Sequence, residues 1–192
     1  MFDYVEDKTA KNPLILIRGI PGSGKSTLAT KLSYTYNLPM IDPDFLTQDH
    51  QDFKNYVKLN SKELHGLSVR TKKYRYNLNL ATKYVIDSKG FIWAQAWSLL
   101  EGINYTMSTI AKISNKHELL CIVFDLKVDI NIAVERFKIK TSSHREAQKV
   151  VEEFANKYEW ITQPNFLHIL IDGHKSKDAV FHEVASELNK LL

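Results

Sequence analysis

The stretch Gly19–Ser26 constrains the fold of this chain more than any other feature. It reads GIPGSGKS and fits the pattern G-x-x-x-x-G-K-[ST] at every fixed position. It follows the apolar run Leu14–Ile17 and precedes helically spaced apolar side chains at Leu28, Leu32 and Tyr36. In that setting, glycines let successive backbone N–H groups turn toward phosphate oxygens, and the helix adds the positive end of its dipole. The stretch therefore predicts a phosphate-binding loop between a buried strand and a helix.

Two side chains of this loop have expected chemical roles. The Lys25 ammonium can reach the β- and γ-phosphates of a nucleotide, and the Ser26 hydroxyl can bind Mg²⁺. The loop residues Gly19, Gly22, Ser23 and Gly24 are expected to surround the phosphates. The alternative interpretation is a Gly/Pro turn with a lysine exposed to solvent.

Apolar runs that alternate with helical patterns define the fold class. Five runs are predicted as strands: Leu14–Ile17, Leu38–Ile41, Phe91–Trp97, Glu118–Asp125 and Phe166–Ile171. Residues from about 45 to 88 are predicted as helices, with a break near Asn60 or Gly66. Strands that are apolar throughout predict an α/β fold with a parallel sheet covered on both faces. The 192 residues suit a single domain, 1–192, with ligands at the carboxyl ends of the strands.

The positive charge is concentrated in one segment. The formal net charge is +4, yet residues 54 to 83 contain eight Lys and Arg against one acid, Glu63. This segment is either a solvated helix face or a surface that faces a phosphorylated or polyanionic substrate. Because no apolar run approaches a membrane span, Cys121 is the one cysteine, and Met1–Asp7 is acidic, the sequence predicts a cytoplasmic protein without membrane association.

Two acids, Asp42 and Asp44, follow the second predicted strand. At a strand end, side chains two residues apart point the same way, so both are expected to face the nucleotide. Asp42 would orient a water on Mg²⁺, and Asp44 would accept the proton of an attacking hydroxyl. The alternative is that one of them caps a helix that starts at Phe45.

A basic stretch follows the fourth predicted strand. Arg136 and Arg145 flank Lys138, Lys140 and His144, and residues 138–146 are predicted to form a lid. Such a lid would stabilise charge on a transferring phosphoryl group and exclude water. A basic loop that only connects two helices is the alternative.

Taken together, "RGIPGSGKSTLA", "IDPDF", "VERF…HREA" and "ILIDGHKSKDAVFHEV" resemble the small P-loop kinases that include zeta toxins and the kinase domain of bacteriophage-type polynucleotide kinases. The resemblance covers the order of elements along nearly the whole chain. It implies a P-loop NTPase fold of the kinase type, with a five-stranded parallel sheet in the order 2-3-1-4-5. It also implies transfer of the γ-phosphate of ATP to a hydroxyl, with ATP and Mg²⁺ as cofactors.

The resemblance also assigns residues by position. It implies that phosphate and Mg²⁺ are bound by Gly22, Gly24, Lys25, Ser26 and Thr27. Asp44 resembles the catalytic base, Arg136 and Arg145 resemble the lid arginines, and the backbone at Gly173 would lie near the adenine. Gln95 stands where the relatives have an acid on the third strand, so Asp42 would supply that ligand to Mg²⁺.

The leading functional hypothesis is an ATP-dependent kinase that acts on a small, phosphorylated or nucleotide-like acceptor. The acceptor is expected between the helical segment, the third strand end and the lid. Trp93 and Trp97 are expected to pack in the core, and the alternative is an acceptor pocket with Trp97 as a wall. The alternatives are a kinase for the 5′-hydroxyl of RNA or DNA, favoured by the basic segment, and a regulatory ATPase without an acceptor. The oligomeric state and an antitoxin-like protein partner are left open.

Overall fold

A five-stranded parallel sheet forms the centre of the protein. The computed structural model describes residues 12–46, 48–87, 89–114, 119–162, 164 and 166–192, so Met1–Asp7 and Glu118 lie outside the described residues. The strand order is β2-β3-β1-β4-β5, which confirms the predicted P-loop NTPase arrangement. The strands are β1 Asn12–Arg18, β2 Met40–Ile41, β3 Phe91–Ala94, β4 Leu119–Lys127 and β5 Leu167–Asp172.

Seven helices connect or follow these strands within the described residues. They are α1 Lys25–Tyr36, α2 Gln51–Leu59, α3 Val69–Ile86, α4 Leu100–Ile113, α5 Ile130–Phe137, α6 His144–Asn156 and α7 Lys177–Leu191, with a 3₁₀ turn at Lys138–Lys140. The predicted break in the helical segment is confirmed, because α2 ends before Asn60 and α3 begins after Ser68. Ser68, Ser143 and Ser176 each accept a backbone N–H through their hydroxyl and so start α3, α6 and α7.

Helices cover both faces of the sheet. On one face α1 and α7 pack through Leu28, Leu32, Val180, Val184 and Leu188. On the other face α3 and α4 pack through Ala81, Val85, Ile103, Met107 and Ile110. The central strand β1 therefore has no solvent side, and Leu14–Ile17 are completely buried. This explains why the strand is apolar at every one of these positions.

Two strands are shorter than the sequence predicts. β2 contains two residues instead of four, because Pro39 has no N–H to donate, although its carbonyl accepts from Ile92 N at 2.9 Å. β3 ends at Ala94, and the predicted residues up to Trp97 belong to a loop. We call residues 95–99 the β3–α4 loop. Within it, Trp97 has a φ of 49°, which is incompatible with a continuing strand.

None of the described helices is both long and apolar enough to cross a membrane.

Candidate active site

The loop Gly19–Ser26 curls tightly at the carboxyl end of β1. Ser23 N donates to Ile20 O at 3.1 Å, and Gly22 and Gly24 have φ angles of 83° and 99°. A Cβ atom at Gly22 would lie 2.1 Å from the carbonyl oxygen of Ala133 in α5, so glycine is required there. Gly24 precedes α1 and offers no side chain to cap it, which leaves the first N–H groups of the helix available to a ligand.

Two buried polar oxygens near this loop have no hydrogen-bond partner among the described residues. They are Oγ of Ser23 and Oδ2 of Asp42, which are 3% and 9% exposed as residues. Buried oxygens without partners are uncommon in native proteins and call for an explanation such as a bound ion or water. A phosphate-bound cation beside Asp42 satisfies this requirement, so the residues present fit MgATP.

Asp42 and Asp44 both lie at the cavity, as expected, but they differ in burial. The chain leaves β2 at Ile41 and turns, so Asp44 N donates to Asp42 Oδ1 at 2.9 Å and the strand rule no longer applies. Asp42 is buried, whereas the Asp44 side chain is 67% exposed. The alternative of a helix cap at Phe45 is wrong, because the next helix begins at Gln51. Both aspartates nevertheless line the same cavity as the loop.

Lys25 is electrostatically linked to both aspartates. Its Nζ donates to Ile20 O at 2.9 Å. Burial lowers the pKa of Lys25 to about 8, against the raising effect of the negative charges of Asp44 and Asp42. A bound polyphosphate adds negative charge at this position and would favour the protonated ammonium.

The predicted lid residues have different surroundings. Lys140 Nζ lies 3.6 Å from Asp44 Oδ2, which brings the lid to the candidate base. Arg136 donates to the carbonyls of Gly173 at 2.7 Å and His174 at 3.5 Å, on the side of the predicted adenine site. Arg145 is exposed in the first turn of α6 and is not among the described residues that line the cavity.

A cavity of about 1360 Å³ connects these groups. One end, which we call the donor end, contains the phosphate loop with Ser26 and Thr27, Arg136, Gly173 and residues 175–177. The other end, which we call the acceptor end, lies between the first turn of α3, the β3–α4 loop and the first turns of α4. That end is lined by Val69, Arg70, Lys73, Tyr74, Trp97, Leu99, Glu101, Tyr105 and Phe154, among others. The volume exceeds the usual range for a single small ligand, so a donor and an acceptor can be accommodated together.

Trp93 of β3 and Trp97 of the β3–α4 loop differ in their access to the cavity. Trp97 lines the cavity, whereas Trp93 is fully buried beneath it, with their ring centroids 4.9 Å apart. Tyr74 packs against both rings, and its hydroxyl is 2.8 Å from Thr106 Oγ1. Trp97 therefore faces the cavity, and Trp93 belongs to the core.

A family model described as "Chromatin associated protein KTI12" matches residues 12–166. The chain belongs to the KTI12 family. The match includes the phosphate loop, both aspartates, Arg136 and Arg145, and it ends before β5. No curated protein matches the sequence significantly.

Solved structures of kinases share the fold of this KTI12 family member. A gluconokinase from Sinorhizobium meliloti 1021 has 14% identity and a TM-score of 0.62, with 93% of each chain covered. A putative kinase from Chloroflexus aurantiacus has 17% identity and a TM-score of 0.60, with 94% of this chain and 97% of that one covered. A sugar kinase from Janibacter sp. has 11% identity and a TM-score of 0.58, with 93% and 95% covered. These likenesses confirm a kinase-type P-loop fold, and the finer resemblance to zeta toxins and polynucleotide kinases stays a prediction.

Sequence reasoning missed a buried charged cluster in this KTI12 family member. Arg18 at the end of β1 pairs in register with Asp125 of β4, and both are almost completely buried. Each side chain follows an apolar run, which is the signal that the sequence offered. Their pairing could not be read from it, because it depends on β1 and β4 being neighbours in the sheet.

Proposed function

We propose that this KTI12 family member is an ATP-dependent phosphotransferase that moves the γ-phosphate of ATP to a hydroxyl of a small acceptor. The observation that carries the proposal is one cavity that contains both a phosphate loop and an exposed carboxylate, Asp44. A loop alone would support nucleotide binding, whereas a carboxylate facing the same space can act on a second substrate. The kinase fold of the structural neighbours agrees with this proposal.

On the donor side, the chain binds and orients the nucleotide. The uncapped N–H groups at the start of α1 face the phosphates, and the Lys25 ammonium interacts with the β- and γ-phosphates. Ser26 and Asp42 are the residues that would hold Mg²⁺, which when bound neutralises charge on the phosphate oxygens. Backbone at Gly173 contacts the base.

On the acceptor side, Asp44 accepts the proton of the attacking hydroxyl. The hydroxyl oxygen forms a bond to the γ-phosphorus while the bond to the β–γ bridging oxygen breaks, and ADP leaves. Lys25, Arg136 and Arg145 stabilise the transferring group. Arg136 would have to leave the carbonyls of Gly173 and His174 to reach it, and Arg145 would approach as the lid closes.

The acceptor end favours a phosphorylated or nucleotide-like compound. Arg70 and Lys73 supply positive charge there, and Tyr74, Trp97 and Tyr105 supply aromatic surface. Cations suit an anionic group, and aromatic rings suit a planar base or an apolar face.

Labelled ATP tests the proposal directly. The protein is incubated with γ-labelled ATP and a metabolite extract, and a labelled product other than inorganic phosphate is expected. Asp44→Asn should lower product formation by about 10²-fold or more, since general-base catalysis contributes at this level. Asp49→Asn is the matched control, because Asp49 is an exposed acid of the same segment that pairs with Lys54. Full activity of a folded Asp44→Asn protein would contradict the assignment.

A second candidate function is a kinase for the 5′-hydroxyl of RNA or DNA. The basic segment supports it, since Arg70 and Lys73 line the cavity and Arg75 is exposed on the same helix. Oligonucleotide binding that weakens steeply with salt, together with end labelling, is the expected result. Indifference to oligonucleotides would exclude this candidate.

A third candidate is a regulatory ATPase, which the description of its family as chromatin associated favours. In that case ATP hydrolysis should be slow, and neither the extract nor oligonucleotides should yield a labelled product.

A further inference from the structure

A buried cluster of charged and aromatic side chains adjoins the β3–α4 loop. Arg18 Nη1 lies 3.2 Å from Asp125 Oδ2, and the Tyr158 hydroxyl donates to Asp125 Oδ1 at 2.5 Å. The Tyr158 ring covers the guanidinium, with 3.9 Å from Arg18 Cζ to the ring centroid. Lys127 Nζ is a second cation on Asp125, at 3.1 Å. The carboxylate is thus satisfied on both oxygens.

The remaining donors of Arg18 hold the loop that borders the acceptor end of the cavity. Nε donates to Trp97 O at 2.8 Å, and Nη2 donates to Ser98 O at 3.3 Å and also to Glu159 O. Glu159 in turn binds the same region, because its N–H donates to Ser98 O and its carboxylate accepts from Leu100 N at 2.6 Å. Arg18 and Glu159 therefore fix the loop from two sides.

Trp97 has a backbone conformation that needs such support. Its φ of 49° lies in the left-handed region, which is unfavourable for a large side chain and persists only where surrounding contacts impose it. Its carbonyl is bound by Arg18, and its ring rests on Trp93. The ring also lines the cavity, so a change in this backbone would move the acceptor wall.

We propose that Arg18, held by Asp125 and Tyr158, is a positioning residue that aligns the acceptor wall at Trp97 with the phosphate donor. The inference rests on the proposed phosphotransferase function. Arg18 directly precedes Gly19, so the residue that holds the wall at Trp97 adjoins the start of the phosphate loop. Small errors in the alignment of two reactants cost large factors in rate. The cluster thereby favours transfer to the acceptor over transfer to water.

The contacts distinguish this role from simple stabilisation. A buried ion pair contributes little net stability compared with apolar residues of similar volume. Here, three of the acceptors of the guanidinium are backbone carbonyls of the β3–α4 loop and of the segment that holds it. A purely structural role would lower transfer and hydrolysis together, in proportion to the folded fraction, whereas a positioning role changes their ratio.

The first arm of the test follows Trp97 itself. Tyr158→Phe removes one donor to Asp125 and keeps the ring, and Tyr36→Phe is the matched control, because the Tyr36 hydroxyl binds Ala185 O and Asn189 away from the site. Proteins labelled with 5-fluorotryptophan are compared by fluorine NMR, with the Trp97 signal assigned through Trp97→Phe. The Trp97 signal should shift or broaden in Tyr158→Phe and stay unchanged in Tyr36→Phe.

The second arm measures how much of the γ-phosphate is transferred to an acceptor and how much to water. With γ-labelled ATP and a fixed metabolite extract, the ratio of labelled product to inorganic phosphate should fall about ten-fold in Tyr158→Phe. The dissociation constant of MgATP should not change. Arg18→Lys, which keeps the charge and loses the fork of donors, should lower the ratio further wherever it folds.

An unchanged Trp97 signal or an unchanged ratio in folded Tyr158→Phe would overturn the inference, as would an equal fall of transfer and hydrolysis. If the wild-type protein labels no acceptor, the proposed function fails. The fluorine signal then decides alone whether the cluster sets the position of Trp97.

Discussion

At the residue scale, the phosphate loop shows how backbone geometry and charge are fitted to one ligand. The glycines allow conformations that other residues resist, and Lys25 donates to the Ile20 carbonyl at a position where burial disfavours its charge. Its ordinary pKa of 10.5 falls to about 8 because burial disfavours the ammonium. Asp42 and Asp44 supply part of the negative charge that the Lys25 ammonium requires. The phosphates of a bound nucleotide would supply the rest.

Nucleotide binding should therefore take up protons near pH 8. In the free protein the Lys25 amine is about half protonated at that pH, and the phosphates of the ligand raise its pKa again, so uptake of about half a proton is expected. Titration calorimetry in buffers of different ionisation enthalpy measures this number. Near pH 6.5 the amine is already charged, and its contribution should vanish. Binding without proton uptake anywhere between pH 7 and 9.5 would contradict the low pKa.

Gly22 and Gly24 of the loop should differ in their tolerance of alanine. At Gly24 nothing lies within 4 Å of the position that a Cβ atom would take, so alanine is opposed only by the left-handed backbone, which costs about 1–2 kcal/mol. At Gly22 the same backbone penalty is joined by a clash with the Ala133 carbonyl of α5. Urea unfolding should show a larger loss for Gly22→Ala, and calorimetry should show loss of MgATP binding. Equal losses would mean that α5 can move away freely.

At the scale of elements, the helical segment before β3 is attached by a small apolar cluster of its own. Leu46, Phe53 and Tyr76 are buried together, and the rings of Phe53 and Tyr76 meet edge to face at 5.7 Å. α2 contributes one buried side chain, Phe53, and two half-buried ones, Tyr56 and Val57. An element attached through one small cluster can unfold locally while the sheet remains intact.

Phe53→Ala should detach α2 selectively. Truncation of a buried phenylalanine removes about 3–5 kcal/mol, and Phe53 is the buried side chain through which α2 joins its cluster. Amide hydrogen exchange in α2 should become fast, whereas β1 and β4 should stay protected and MgATP should still bind. Leu59→Ala in the same helix is the control, since Leu59 is 84% exposed. Uniform destabilisation of the whole protein would show that α2 is part of the main cooperative unit.

Sequence reasoning succeeded where a pattern acts locally. The strand order followed from the family resemblance, and the phosphate loop from its spacing, since glycine, lysine and serine are each needed at fixed positions. It failed where contacts between residues distant in the sequence determine the local structure. Asp42 is buried and Asp44 is exposed because the chain turns after Ile41. β3 ends at Ala94, three residues before Trp97, whose carbonyl binds Arg18. The guanidinium of Arg136 meets Gly173 only because β4 and β5 are adjacent.

At the scale of the whole molecule, the buried Arg18 and Asp125 cluster joins the sheet to the segments above it. His168 of β5 also belongs to it, with Nε2 at 3.5 Å from Asp125 Oδ2 and a largely buried ring. Burial lowers the pKa of His168, although the charge of Asp125 opposes the shift. A protonated His168 is therefore unfavourable in the folded protein.

Stability should consequently fall as the pH drops below about 6.5, the usual pKa of histidine. In that range the unfolded chain binds the proton of His168 and the folded protein resists it, so protonation favours unfolding. His174 affects stability at higher pH, because its hydrogen bond with Asp172 raises its pKa in the folded protein. The stability that this bond contributes is lost as the pH rises above 6.5. Urea unfolding from pH 5 to 6.5 should show a flatter pH dependence of stability for His168→Gln than for the wild-type protein. A wild-type profile without slope in this range would refute the assignment.

The central place of β1 has a consequence for how the protein is made. Arg18 and Asp125 touch each other but are separated by 107 residues in the chain. At ribosomal rates of about 5–20 residues per second, the nucleotide loop emerges on the order of ten seconds before the strand that completes its support. During that interval Arg18, which precedes the loop, cannot pair with Asp125 of β4. The loop therefore acquires its support from β4 only after the first two thirds of the chain have been made.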